Sequence, residues 1–325
     1  MRAEASLSEE QALVERMLLL RQLPVMRQLD AAQLASFATV LTPVRFGAGE
    51  TMVEEAEVPH HFYLVRDGLV RGERKGRDLG AASGPASVGL FPLLARSAGS
   101  IHLVAETEVH AYRIDEDHVH EAFEDHFTIL LGMIRGLAES LLLQFQAVAE
   151  LAGEATEVYE PVRSATPLSV VEKIAALRRM RPFAKASVAS LARLAVVLDE
   201  VRLAPGELLW RRGEPGDFSL LLLDGAVEQV WDGGRLEVGP GFVLGGAEAV
   251  AGLVRSADAR VVAPTLALRG SHARFVDAIE DSFDLALHFV SFLATAMIEY
   301  WDVRAAHGQR PMQDFVMPGM RPPSR

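Results

Sequence analysis

Residues 201–230 read VRLAPGELLWRRGEPGDFSLLLLDGAVEQV, and this stretch occurs twice in the chain. The earlier copy, residues 44–73, reads VRFGAGETMVEEAEVPHHFYLVRDGLVRGE and aligns without a gap at an offset of 157 residues (201 minus 44). Aligned residues that are identical include Gly49 with Gly206, and Asp67-Gly68 with Asp224-Gly225. A fixed offset held over such a length is an internal repeat, so the fold is expected to contain one structural unit twice.

The repeated unit carries the turn and strand signals of antiparallel β structure. Pro205 presets the first central position of a turn, and Gly206 accepts the positive φ of the second. The apolar run of residues 219–223 has the length of a strand, and Asp224-Gly225 after it is a hairpin signal. Short strands separated regularly by turns predict an antiparallel β-roll of the jelly-roll type in each copy.

The order Pro-Gly-Glu, Gly-Glu-Pro-Gly-Asp, apolar strand and Asp-Gly resembles the cyclic-nucleotide-binding domain family, which includes the catabolite activator protein and kinase regulatory subunits. The resemblance covers residues 20–150 and 177–305. It implies an α+β fold of two tandem β-rolls, each with leading helices and a long C-terminal helix. The expected layout is an N-terminal domain at residues 1–152, a linker at 153–168, a C-terminal domain at 169–306 and a disordered tail at 307–325.

Composition limits the class of protein. The 325 residues are enough for two domains of about 150 each. The chain has no cysteine, which excludes a disulfide framework and a thiolate zinc site, and its first ten residues lack the apolar region of a signal peptide. The apolar stretch at 285–298 has 14 residues, fewer than the ~20 that a membrane span needs. The sequence therefore predicts a soluble cytoplasmic protein with no membrane segment.

The resemblance implies a ligand pocket built on a short helix with the motif Phe-Gly-Glu-x-Ala-Leu, followed further along by Arg-Ser-Ala. In binding members the helix N–H groups hold the cyclic phosphate, the Arg pairs with its charge, and the Glu accepts from the ribose 2′-hydroxyl. In the second repeat Gly245 matches the motif's Gly, but Gly246 stands where the Glu belongs. Glu248 lies two residues later and, on a helix, is expected to point elsewhere. The candidate nucleotide-binding residues are Gly245, Gly246, Ala247, Arg255, Ser256 and Ala257.

The first repeat departs further from the motif. Gly89 matches the motif's Gly, Leu90 replaces the Glu, and a gapless alignment puts Gly99 at the Arg position with Ser100 after it. Arg96 reaches that position only through a three-residue shift. We therefore expect Gly89, Leu90, Gly99 and Ser100 not to bind a nucleotide, and the second pocket to keep a phosphate half without a ribose half.

Two long apolar-periodic stretches follow the rolls, at residues 115–152 and 273–305. In the family the corresponding helix is a dimer seam, so we expect a homodimer through the long helices, together with protein partners that the sequence does not identify. Packing of each helix on its own roll is the alternative. The patch at 315–318 is either a docking peptide or part of a frayed tail.

Enzyme and metal chemistry find little support in the sequence. A metal-binding cupin shares the roll, but His60 and His61 are adjacent and so face opposite sides of a strand. His118 and His120, beside Glu121, are metal-ligand types that also suit a solvated helix face. No phosphate-binding loop or serine-hydrolase motif occurs. We expect no catalytic residue and no metal ligand.

Charge and domain order also limit the partners. The net charge of −12 opposes approach to DNA or anionic lipid, and no helix-turn-helix domain follows either long stretch, so direct DNA binding is not expected. The sequence favours a non-enzymatic regulatory or scaffold protein that needs no cofactor. The alternative is a sensor whose second domain binds a cyclic mono- or dinucleotide through Arg255 and the N–H groups near Gly245-Gly246.

Overall fold

A computed structural model of the chain describes residues 2–23, 26, 29–55, 58–96, 101–152 and 159–314. The chain divides into two compact units, the first comprising residues 1–136 and 294–325 and the second residues 137–293. Both units combine helices with antiparallel strands, so the fold class is α+β, as predicted. These units divide at residues 136/137 and 293/294, within the long helices at 127–152 and 283–306. The predicted domain boundaries, at residues 152 and 306, lie at the ends of the same two helices.

The first unit is a β-roll preceded by two helices. Its elements are α1 (Arg2–Leu20), α2 (Ala31–Thr39), β1 (Thr42–Phe46), β2 (Thr51–Val53), β3 (His61–Asp67), β4 (Leu69–Arg74), β5 (Arg77–Ser83), β6 (Ala86–Val88), α3 (Leu90–Ala95), β7 (His102–Ala105), β8 (Val109–Asp115), α4 (Glu116–Asp125) and the start of α5 (Phe127–Ala152). The strands form two four-stranded sheets with the orders β1-β8-β3-β6 and β2-β7-β4-β5. Lys75 and Gly76 both have positive φ at the β4–β5 turn, the conformation of a tight hairpin.

The second unit repeats this arrangement with longer strands. Its elements are α6 (Val170–Arg179), α7 (Val188–Val197), β9 (Asp199–Leu203), β10 (Leu208–Trp210), β11 (Phe218–Trp231), β12 (Gly234–Val238), β13 (Val243–Leu244), α8 (Gly246–Ala251), β14 (Asp258–Ser271), α9 (His272–Glu280) and the start of α10 (Phe283–Ala306). β11 and β14 pair along their whole length; β9 and β13 flank one end of the pair, and β10 and β12 flank the other. The core between the strands is formed by Trp210, Leu220, Leu222, Val227, Val238, Leu244, Ala259, Val261 and Ala267.

The strands of the two rolls correspond at the offset predicted from the repeat. β1 begins at residue 42 and β9 at residue 199 (199 − 42 = 157), and β2 and β10 differ by the same number (208 − 51 = 157). β11 spans the positions of β3 and β4 together. Gly49 and Gly206 have φ of 85° and 88°, so the predicted turn recurs as well. The predicted duplication of a β-roll is confirmed.

The predicted hairpin at Asp224-Gly225 is wrong. β11 runs through these residues without reversing, and its register against β14 shifts on both sides of Asp224. Gly225 has φ of 86°, and its counterpart Gly68 has φ of 109° between β3 and β4. The Asp-Gly pair therefore forms a bulge that carries a strand from one side of the roll to the other, since glycine accepts the φ that the bulge requires.

Each predicted long helix is interrupted near its start. His126 separates α4 from α5 with a non-helical backbone (φ −136°, ψ 83°). Ser282 precedes α10, and its Oγ accepts a hydrogen bond from Leu285 N at 3.4 Å. Side-chain bonds of this kind favour a new helix start over continuation. Residues 127–145 of α5 and the whole of α10 are longer than the predicted 14-residue stretch and are apolar enough to span a membrane, a test that core helices also pass.

Residues 307–314 belong to the predicted disordered tail, but the structure places them in order. Gly308, with φ of 75°, follows the end of α10, and α11 (Pro311–Asp314) belongs to the first unit. Proline suits the first turn of a helix, and burial of Met312 to 6 % exposure holds the segment in place. The rest of the predicted tail, residues 315–325 with its docking patch, lies outside the described residues, as do residues 153–158 of the predicted linker.

Candidate functional site

The candidate site of the second roll lies where β13 leads into α8. Gly245 caps the N-terminus of α8 with φ of 68°. A Cβ added at Gly245 would collide with the Arg255 guanidinium and lie 3.1 Å from the Trp210 ring. Arg255 Nη1 donates to Gly245 O at 3.2 Å. The structure thus brings together Gly245 and Arg255, which the sequence predicted as partners in one pocket.

Arg255 is enclosed by protein groups. It is only 1 % exposed, and its Nη2 donates to Phe218 O at 2.6 Å. Its guanidinium carbon lies 3.9 Å from the centre of the Trp210 ring and 4.8 Å from that of Phe218, within the range of cation–π attraction. Arg269 approaches the Phe218 ring as well, at 4.1 Å. The cation predicted to meet a phosphate therefore lies between aromatic rings and donates to backbone carbonyls.

The charge of Arg255 is only partly compensated. Burial lowers the pKa of its guanidinium, and the carboxylates of Glu248, Asp217 and Glu214 raise that pKa but do not restore it. Its Nε is buried and has no hydrogen-bond partner among the described residues. A buried cation in this setting stabilises any anion that reaches it, because the low dielectric strengthens their attraction.

Glu248 is the functional feature that the sequence interpretation missed. The side chain is 5 % exposed, and its Oε1 accepts from Ser256 Oγ at 2.7 Å and from Ser256 N at 3.3 Å. The expectation that Glu248 points away from the site is wrong. Counting through the motif from Gly245 places Glu248 where the motif has Ala. This carboxylate therefore lies within the candidate site and bonds to two donors of Ser256.

Gly216 makes room for this arrangement. A Cβ at Gly216 would lie 2.9 Å from Glu248 Cβ and 2.5 Å from Leu253 O, both closer than normal packing allows. Gly216 N also donates to Leu253 O at 3.0 Å, which fixes the loop against the segment that follows α8. The Gly-Glu-Pro-Gly-Asp turn thus permits a long side chain at position 248, and this spacing of a small residue opposite a large one was the available signal.

The remaining predicted residues supply no side-chain contact for a ribose. Gly246 has no side chain, and Ala247 and Ala257 have only a methyl group. Ala257 is 4 % exposed and packs in the roll.

The corresponding helix of the first roll is apolar. Gly89 caps α3 with φ of 82°, and every residue of α3 is buried, including Leu90 at 5 % exposure. The Phe91 ring meets the edge of Trp301 at 5.3 Å between centroids. Arg96 pairs with Glu116 at 3.0 Å, with its side chain 56 % exposed. Gly99 and Ser100 lie outside the described residues.

The histidines considered as metal ligands lie beside carboxylate or hydroxyl groups. His60 Nδ1 lies 3.1 Å from a Glu116 oxygen and is largely exposed, whereas His61 Nε2 lies 2.8 Å from the Tyr63 hydroxyl. His120 Nδ1 lies 3.5 Å from Glu124 on the same helix. Across the part of the chain that the structure describes, no group of three His, Cys, Asp or Glu side chains is placed to hold a metal ion.

Comparison with known proteins finds sequence similarity to one curated protein kinase. No family model matches the chain. A cGMP-dependent protein kinase of Drosophila melanogaster (isozyme 2 forms cD4/T1/T3A/T3B) is 24 % identical over 135 residues, which are 38 % of this chain. The chain spans 12 % of the length of that relative.

Solved structures with similar folds include regulatory domains. One is the regulatory subunit of a cAMP-independent protein kinase A from Trypanosoma brucei, with 17 % identity, 84 % of this chain and 90 % of that chain covered, and a TM-score of 0.35. Another is the N-terminal domain of a transcriptional regulator from Streptomyces coelicolor A3(2), with 24 % identity, 38 % and 93 % covered, and a TM-score of 0.35. The likenesses to the Drosophila kinase and to the Streptomyces regulator each cover 38 % of this chain.

Proposed function

We propose that the chain is a non-enzymatic regulatory protein that acts through protein contacts and whose second pocket is occupied by its own side chains. The observation that carries this proposal is the buried Glu248 carboxylate, which accepts hydrogen bonds from both the hydroxyl and the N–H of Ser256. A nucleotide phosphate that uses the same donors must first displace this carboxylate. In this proposal the Glu248 carboxylate, which is part of the chain, takes the place of a nucleotide phosphate in the pocket.

Arg255 supports the same proposal. Its donors bond to the carbonyls of Gly245 and Phe218, and the Trp210 ring covers its face. A phosphate that draws the guanidinium away leaves these two carbonyls without a donor. An unpaired buried polar group costs about 1–3 kcal/mol, so the closed arrangement is favoured over an open one.

The first roll is proposed to serve packing and docking rather than ligand binding. α3 is apolar throughout, and the arginine that follows it, Arg96, pairs with Glu116 at the protein surface. The helix N-terminus alone gives a phosphate weak and unselective binding, because charge-assisted bonds supply much of the affinity of such sites.

Protein partners, a cytoplasmic location and the absence of direct DNA binding belong to the same proposal. The net charge of −12 supports the part that concerns DNA, because the field of such a chain repels the phosphate backbone.

A cyclic-nucleotide sensor is the second candidate, and one observation favours it. Arg255 Nε is buried without a partner among the described residues, and burial lowers the pKa of the guanidinium. An anion that replaced Glu248 and reached Nε would relieve this unfavourable burial.

Thermal unfolding in the presence of cyclic AMP, cyclic GMP or cyclic di-GMP separates the two candidates. A ligand at 100 times its Kd adds about 2.7 kcal/mol of stability, and we expect no such shift for the wild-type chain. The Glu248→Ala variant frees the Ser256 donors, so a nucleotide that stabilises this variant alone confirms that Glu248 fills the site. The double variant with Ser256→Ala should then lose the gain. Stabilisation of the wild type that Ser256→Ala abolishes would establish the sensor instead.

A further inference from the structure

Residues 307–314 turn back onto the first roll. Gly308 N donates to Ala305 O and Gln309 N donates to Arg304 O, each at 3.0 Å, which is the paired closure of a Schellman motif. Arg304 Nε also donates to Gln309 Oε1 at 2.7 Å. The turn directs residues 310–314 to β5, which lies at the edge of its sheet.

An apolar slot in the roll receives the side chain of Met312. Gly72 on β4 lies opposite Gly80 on β5, so neither residue has a side chain over this part of the sheet. A Cβ added at Gly72 would collide with Met312 Sδ and lie 3.2 Å from Met312 Cε and 3.6 Å from Leu103 Cδ2. Met312 is 6 % exposed. The glycine pair thus forms a slot that fits an unbranched apolar side chain.

An acidic group lies beside the slot. Asp78 Oδ2 is 3.2 Å from Arg310 Nε and 3.1 Å from Arg71 Nη1, and Asp78 Oδ1 accepts from Gly80 N at 2.8 Å. The Arg310 side chain is 55 % exposed, so this pair contributes selectivity more than affinity. The spacing of Arg310 and Met312 therefore matches an acidic group next to an apolar slot.

The contact is small enough to be reversible. It depends on two adjacent buried side chains, Pro311 and Met312, and one exposed ion pair, and its covalent tether maintains it at a high effective concentration. We propose that the slot at Gly72 and the adjacent Asp78 form a peptide-docking site for a partner segment with an arginine followed, two residues later, by an unbranched apolar side chain. Residues 310–314 occupy this docking site in the resting chain and cover the edge of β5 until the partner displaces them.

This inference rests on the proposed role in protein contacts and supplies the chemistry of one partner. Binding of a fluorescent peptide with the sequence of residues 308–316 tests it, measured by anisotropy on the full chain. The Met312→Asp variant puts a charge into the slot and releases the tail, so it should bind the peptide. The wild type should bind at least about tenfold more weakly, because its tethered tail competes.

Changes in the peptide test the chemistry without altering the protein. Peptides with Val at the position of Met312, or Glu at that of Arg310, should bind the Met312→Asp chain at least about tenfold more weakly than the parent peptide. Within that chain Gly72→Val should abolish binding, whereas Gly47→Val should not, since a Cβ at Gly47 would lie 3.8 Å from Glu50 Oε2, an ordinary contact distance.

Three results would overturn the docking site. They are equal binding to the wild type and to a folded Met312→Asp chain, no binding to the latter, or full binding of the Val peptide. A wild-type dimer that Met312→Asp dissociates would assign the site to tail exchange between copies and would also reject a partner. None of these results bears on the thermal unfolding of the chain with cyclic nucleotides. The docking site and the proposed function can therefore be rejected separately.

Discussion

Arg255 bonds to groups of the protein itself in this structure. It links Gly245 O to Phe218 O and fills the space between the rings of Trp210 and Phe218. A residue kept for a ligand is generally costly to the unliganded fold, because its polar groups wait for a partner. Two of the three guanidinium nitrogens of Arg255 already have a hydrogen-bond partner in the protein. The free energy of unfolding therefore distinguishes a role in stability from a role in ligand binding.

The first prediction concerns Arg255→Ala. The change leaves two buried carbonyls unpaired and a cavity beside Trp210, so we expect a loss of about 2–4 kcal/mol in the free energy of unfolding. Urea denaturation measures this loss. The matched control is Arg235→Ala, an 81 % exposed side chain with a single weak ion pair, which should change stability by less than about 0.5 kcal/mol. Equal stability of Arg255→Ala and wild type would show that Arg255 is held for a ligand.

The proximity of Gly245 and Arg255 could be predicted from the sequence, for a physical reason. A motif specifies which backbone positions approach one another, so Gly245 and Arg255 could be paired from their spacing. The direction of the Glu248 side chain depends on where α8 begins and on the space left by Gly216, a residue 32 positions earlier (248 − 216). The pairing of Gly216 with the long Glu248 side chain is a long-range signal that the local spacing of the motif does not contain, and so Glu248 was expected to point elsewhere.

At the scale of elements, the bulged Asp-Gly pair determines how each roll is built. A Cβ at Gly68 would lie 2.5 Å from Glu108 O, and a Cβ at Gly225 would collide with Pro264 O. Both glycines therefore meet two demands at once, a positive φ and a close approach to the neighbouring strand. Dipeptide statistics predict only the first demand, which explains why a hairpin was predicted here.

The second prediction separates these demands with a matched pair of substitutions. Gly225→Ala introduces both the strained φ and the collision, whereas Gly233→Ala introduces a similar φ (95°) into open space. The φ alone costs about 1–2 kcal/mol. The collision should cost Gly225→Ala a further ~1–3 kcal/mol. Chemical denaturation of both variants measures the difference, and equal losses would mean that only the backbone conformation matters.

The third prediction is a pH dependence at the start of α6. Ser169 N and Oγ donate to Glu172 Oε2 at 2.8 and 2.7 Å, and these bonds hold the pKa of Glu172 below its ordinary value. A carboxyl with a lowered folded-state pKa stabilises the fold fully above the unfolded pKa of about 4.3 and loses this effect as pH falls through the folded value. The stability advantage of wild type over Glu172→Gln should therefore shrink on acidification below about pH 4.3.

The control compares two variants, Glu172→Gln and Glu172→Ala, neither of which has a titrating group at position 172. Glutamine keeps the capping geometry of this position, so the difference between Glu172→Gln and Glu172→Ala should stay constant with pH. A wild-type advantage that grows in acid would contradict the assignment.

At the scale of the whole molecule, the repeat predicted the fold because strand register is specified by alternation that survives in both copies. β1 with β9 and β2 with β10 keep the same offset. The helical segments carry no comparable constraint. The breaks at His126 and before Ser282, and the ordered turn at Gly308, depend on single capping contacts that periodicity does not contain.

The fourth prediction concerns self-association. The homodimer expected through the long helices needs exposed apolar faces, but these positions are buried to 8 % exposure or less: Leu130, Ile134, Leu137, Leu141, Val290, Leu293, Met297 and Trp301. Leu143, 67 % exposed, is the large apolar exception among the described side chains of α5 and α10. One leucine falls far short of the ~800 Å² per partner of a stable interface.

We therefore expect light scattering after size exclusion to give the mass of one chain for both the wild type and Leu143→Lys. Their free energies of unfolding should agree within about 0.5 kcal/mol, since an exposed substitution removes little packing. A wild-type dimer that Leu143→Lys dissociates would restore the helical seam. A dimer insensitive to this change would place self-association on another surface, because a lysine in the middle of an apolar contact buries an unpaired charge and weakens it strongly.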